Sequence, residues 1–185
     1  RGGDKCCSCG FEGPHRVMEK KSEKVADHSR VLQAISEMTD PERLRNTVRN
    51  AKLKGATDVA DAAFDRLITV QPAEKPGTVE HEFWKTIFAF EEILREERGR
   101  AVRLTRTRQK IAKTGEKPTL ADFANNNLPP EGLQMLVARN LTDLTGEAIV
   151  LRHADDFAPE VLAAARLRLM EAGVDVESLV ARADA

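Results

Sequence analysis

Tyrosine is absent from the 185 residues, and aromatics make up only 4%, with one Trp. So few rings exclude an extended stacking platform for single-stranded nucleic acid. Cysteine is confined to Cys6, Cys7 and Cys9, and none lies elsewhere to close a long loop. No disulfide framework is therefore expected, which favours a reducing compartment and a cytoplasmic location. No apolar run approaches the roughly 20 residues that a membrane span requires, so no membrane association is expected. Sustained period-2 alternation and Asn-Gly or Asp-Gly hairpin turns are missing, and strands are not expected. Glycine-rich phosphate loops, nucleophile elbows and EF-hand loops are likewise absent, which leans against an enzyme.

What remains is a composition with 41% hydrophobic and 32% charged residues, enough to bury a core at this length. Helix punctuation recurs along it. Val31, Leu32, Ile35 and Met38 keep helical spacing, and Thr39-Asp40-Pro41 closes that segment and caps the next. Leu44, Val48, Ala51 and Leu53 carry the apolar side of this second helix, which Gly55 ends. Thr57-Asp58 caps a third, with a stripe of Val59, Ala62, Ala63, Leu67 and Val70. Thr78 opens a long helix in which Phe83, Ile87, Phe90 and Leu94 share one face, widened by Trp84 and Phe88. That face is expected to form the centre of the core. Thr119 with Asp122 reads as a capping pair for a short helix, Leu120 to Ala124. Further helices are expected at about 131–139, 145–153, 158–172 and 175–183. Breaks at Gly55, Asn140 and Gly173 echo one another without a fixed period, as in consecutive helical hairpins.

The expected fold is all-α: one multi-helix domain over residues 25–183, about eight to ten helices in antiparallel pairs. Residues 1–24 form an irregular leader. Because the chain starts at Arg1, residues 1–17 read as an upstream extension or a tag. Within them Cys6, Cys9 and His15 form a weak zinc knuckle around Cys-x-x-Cys-Gly, for which His28 could be a fourth ligand. No second Cys-x-x-Cys supports it.

The net charge of -1 hides a regional imbalance. From Arg98 to Lys117 there are eight basic residues and one acid, Glu116, giving +7 and leaving -8 for the remainder. On one continuous helix Arg103, Arg106, Lys110 and Lys113 would fall within about 80° of arc, with Leu104 and Ile111 anchoring another side. Arg100, Arg103, Arg106, Arg108, Lys110 and Lys113 are accordingly the candidate nucleic-acid contacts, through phosphates. Read with Thr114-Gly115 and the Thr119 helix, the segment is a loose match to helix-turn-helix. The face opposite the cations lacks the large apolar residues that membrane-surface insertion needs.

Three functional readings follow. The favoured one is a nucleic-acid-associated or regulatory protein. The alternative is a protein-interaction module or homo-oligomer, in which the basic face binds an acidic partner or the chain's own acidic surface. Third comes an enzyme of unidentified type. Neither His81-Glu82 nor His153 with Asp155 and Asp156 makes a metal or acid–base motif; each sits where such residues are ordinary in a helix or at its end.

Overall fold

The computed structural model describes residues 28–125 and 131–183, and within them every regular element is helical. The zinc knuckle at Cys6, Cys9 and His15 lies outside these residues. Residues 28–37 form α1, followed by α2 (Pro41–Leu53), α3 (Thr57–Val70), α4 (Val79–Arg98), α5 (Thr105–Thr114) and α6 (Glu116–Ala124). Then come α7 (Glu131–Val137), α8 (Gly146–Arg152), α9 (Pro159–Glu171) and α10 (Val176–Ala183), with 3-10 turns at Thr142–Leu144 and Ala154–Asp156. The described residues form two compact units that divide between Leu67 and Ile68.

In the first unit Asp40 caps α2, its Oδ1 accepting the Glu42 N–H at 2.9 Å, with Pro41 in the first turn. Leu44 and Ala51 are buried as the apolar spacing requires, whereas Leu53 is 81% exposed and belongs to no core. α3 begins at Thr57 rather than behind it, and its buried stripe in this unit is Ala60, Ala63 and Leu67, with Val59 half-buried. Two polar contacts tie this unit together: Arg66 Nε donates to the Met38 carbonyl at 2.8 Å, and His28 Nε2 lies 2.5 Å from Asp58 Oδ2.

In the second unit Thr78 caps α4 by accepting the His81 N–H, and Gly99, at φ 65°, ends it in the left-handed conformation. Phe83 and Ile87 are buried, but Trp84, Phe88, Phe90 and Leu94 are only half-buried, so α4 is not the centre of the core. That place belongs to α8. Glu147, Ala148, Ile149, Val150 and Leu151 are all buried, and α4, α6, α9 and α10 pack around them. An apolar run without a polar face is what a fully enclosed helix requires. Five consecutive buried residues leave α8 no solvent side.

α6 corrects a sequence expectation. It starts at Glu116, with Pro118 in the first turn, where a missing N–H costs nothing. Thr119 is therefore inside the helix, fully buried, and its hydroxyl donates to the Gly115 carbonyl at 2.6 Å instead of capping. The later helices match expectation within two residues, and the breaks at Gly55, Asn140 and Gly173 all have positive φ.

Candidate phosphate-contacting face and the adjoining cavity

The basic segment is not one helix. Leu104 precedes α5, with its side chain packed against the core and its N–H donated to Glu91 Oε1 at 2.8 Å. Arg98 ends α4, and Arg100 and Arg103 lie in the connection between α4 and α5. The expected row of four on a common helix is thereby broken: Arg106, Lys110 and Lys113 are on α5, and Arg103 is not. The anchoring expectation holds, since Ile111 is buried and Leu104 packs on the same cluster.

The six candidate cations divide by what they touch. Arg108 lies about 200° around α5 from Arg106, and so faces inward. Its Nε and Nη2 meet the two oxygens of Glu91 at 2.8 Å each, a bidentate pair. Its guanidinium carbon also sits 4.9 Å from the Trp84 ring centroid and 5.1 Å from that of Phe88. Lys110 Nζ lies 3.0 Å from Asp122 on α6 and 5.2 Å from the Phe123 ring. These two residues join helices, Arg108 linking α5 to α4 and Lys110 linking α5 to α6.

Arg100, Arg103, Arg106 and Lys113 differ. All four are exposed, and no carboxylate among the described residues pairs with them. Neighbouring acids are already occupied: Glu91 by Arg108, Asp122 by Lys110, and Glu97 by Arg139. Trp84 and Phe88 lie beneath Arg108, so the outward face offers cations rather than aromatic rings.

Two further ionic groups hold this unit together: the sequence does not single out Glu147 or Arg168, and it places Glu82 and His153 only beside other partners. Glu147 in α8 and Arg168 in α9 form a buried pair, Nε to Oε1 at 3.2 Å, and Arg168 Nη1 also donates to the Phe123 and Ala124 carbonyls that end α6. A cation at those carbonyls satisfies the negative end of the helix dipole. Burial pushes the Glu147 carboxyl above its ordinary value; its own backbone N–H and Arg168 only partly oppose this. The second group centres on Glu82. Arg152 donates to Glu82 Oε2 from Nε at 3.0 Å and Nη2 at 2.6 Å, and His153 Nε2 lies 3.3 Å from Oε1. Burial raises the Glu82 pKa, but the Arg152 hydrogen bond and charge, joined by His153, outweigh it and leave the carboxyl below its usual range. His81 takes no part: it is buried, with Nδ1 3.0 Å from the Glu74 carbonyl oxygen. Among the described residues no cluster of three or more His, Cys, Asp or Glu could hold a metal ion. No helix among them is long and apolar enough to cross a membrane.

Beside the basic connection a cavity of about 480 Å³ opens within the second unit. α4 lines it with Phe83, Ile87, Phe90, Leu94 and Arg98; Leu104 and Thr107 close one side, and Leu133 and Leu136 of α7 close another. A Cβ at Gly132 would stand 2.8 Å from the tip of the Phe90 ring, so that ring would have to move to admit one. No known protein family, curated protein or solved structure matches this chain.

Proposed function

We propose that the protein contacts nucleic-acid phosphates through Arg100, Arg103, Arg106 and Lys113. The observation that supports this is the division of the basic segment. Two of its cations, Arg108 and Lys110, are already paired with carboxylates, while four stand exposed, two in the connection before α5 and two on α5, without a carboxylate partner among the described residues. Fixed cations of this kind release condensed counterions when they meet a phosphate backbone. With no aromatic ring on the outward face, the proposed contact is to the backbone and independent of sequence.

Titration of a labelled random duplex tests it. Four neutralised phosphates give a slope of log K against log salt of roughly -3.6, or about a 100-fold loss between 50 and 200 mM salt. Reversing Arg103, Arg106 and Lys113 together to Glu is expected to abolish binding with the helical content intact. Binding that ignores salt, or that survives the triple reversal, overturns the proposal.

A second reading, self-association, rests on α9. Ala163, Leu167 and Met170 lie three and four residues apart on its exposed side, with Leu167 56% and Met170 61% exposed. An apolar stripe of this spacing can pack against its own copy across a two-fold axis. Sedimentation should then show a dimer that Leu167→Glu dissociates; a monomer at every concentration removes this reading.

A further inference from the structure

The cavity in the second unit follows α4 from Phe83 to Arg98, fifteen residues or roughly 22 Å of helix. The cavity of about 480 Å³ that runs beside it is a slot between α4 and α7. Its floor at Phe83 is buried, and its walls are Ile87, Phe90, Leu94, Leu133 and Leu136. Its outer end carries Arg98, exposed and paired with no carboxylate among the described residues. Thr107 lines one side, and its hydroxyl has no hydrogen-bond partner among the described residues. Slots of this size that are mostly apolar, with a few polar groups to fix orientation, are the usual form of small-molecule sites.

We propose that this slot binds a single-chain anionic amphiphile of the fatty-acyl type, its hydrocarbon chain lying along α4 and its head group meeting Arg98. The lining's extent along α4, from Phe83 to Arg98, favours an extended chain. Charge decides the sign of the head. Glu131, exposed at the start of α7, is the acidic group on the rim, while Glu147 at the floor is already paired with Arg168. Against Glu131 stand Arg98 on the lining and Arg100 and Arg103 in the connection that follows it. The field at the mouth is therefore positive and attracts an anion. The head-group contact, Arg98, is not one of the four outer cations, whereas Arg100 and Arg103 contribute to the field at both places.

Displacement of 11-(dansylamino)undecanoate by three ten-carbon competitors tests this: decanoate, decan-1-ol and decylamine. Saturable one-to-one binding of the probe is expected, with decanoate the best competitor and decylamine the poorest. Arg98→Gln should weaken decanoate by about fivefold, the effect of one exposed ion pair, and leave decan-1-ol within about twofold. Met135→Trp, at a half-buried lining position, should fill the slot and abolish probe binding while circular dichroism remains helical. If that variant does not fold, Leu94→Trp, also half-buried on the lining, makes the same test. Absence of saturable binding below the micellar range overturns the proposal. So does equal competition by all three ligands, or binding that persists in a folded slot-filling variant.

Discussion

The inner and outer sides of α5 carry the same residue types and do different things. On the inner side Arg108 holds Glu91 with two hydrogen bonds and lies over two rings. On the outer side Arg106 and Lys113 are exposed, with no carboxylate partner among the described residues. Seven residues separate the latter two, so one helical edge presents both. A cluster of positive charge in a sequence is therefore not a measure of a binding surface. What matters is how many of its members the fold has already neutralised, and here Glu91 and Asp122 remove two of six.

The contrast extends to Arg168, the most enclosed cation described, and it orders the expected effects of truncation. Arg168→Ala would leave Glu147 buried without its counter-charge and the end of α6 without a donor. Loss of one partner from a buried pair typically costs about 3–5 kcal/mol, and a urea melt should show a fall of that size. Arg108→Ala is expected to remove about 2 kcal/mol, through the bidentate pair and the ring contacts together. Gly132→Ala sets displacement of the Phe90 ring tip against a helix-propensity gain of about 1 kcal/mol, and a net change within about 1 kcal/mol is expected. Lys110→Ala breaks a pair whose partners are both more than a third exposed, and less than about 1 kcal/mol is expected. Arg106→Ala should leave the melt unchanged within about 0.5 kcal/mol, while reducing affinity for a duplex. If Arg106 and Arg108 proved equally important to stability, the division between the two sides would be lost.

Acid titration separates two carboxylates in the same way. The Glu82 pKa is depressed in the folded protein, so its stabilisation is present above the ordinary value of 4.5 and is lost as pH falls through the lower folded value. Glu147 has the opposite sign: its folded pKa is raised, so its contribution is most favourable below 4.5 and diminishes as pH rises through the folded value. Glu82→Gln should therefore flatten the loss of stability below pH 4.5 seen in the parent chain, measured by urea melts at stepped pH. An unchanged acid limb in that variant would show that Arg152 and His153 do not hold the carboxylate as described.

Helix boundaries were legible in the sequence because caps and stops act locally. Asp40, Thr78 and Gly99 do what their residue types favour, and α7 to α10 lie where the spacing of apolar residues puts them. The centre of the core was less legible. α4 advertises itself with four aromatics, whereas α8 offers only Ala148 to Leu151, a short run that periodicity cannot place. The ionic network was not legible at all. Glu147 follows Thr145 and Gly146 like any first-turn acid, and Arg168 stands two residues from the exposed Arg166 in the same helix. Glu91 looked like one of many surface acids on α4, yet it accepts three hydrogen bonds from the start of α5. Pairings across 17 and 21 residues depend on how helices cross, which no local pattern encodes. The signal available in retrospect is the 200° offset between Arg106 and Arg108, which places them on opposite sides of any helix that contains both.

The salt slope of duplex binding, measured for one neutralised residue at a time, counts the cations that face outward. Arg100→Gln, Arg103→Gln, Arg106→Gln and Lys113→Gln should each make the slope shallower by about 0.9, and Lys110→Gln should leave it as it was. Equal reductions from Lys110→Gln and Arg106→Gln, or no reduction from any of the four, would contradict the division of the basic segment into cations already paired with carboxylates and cations left to contact phosphate.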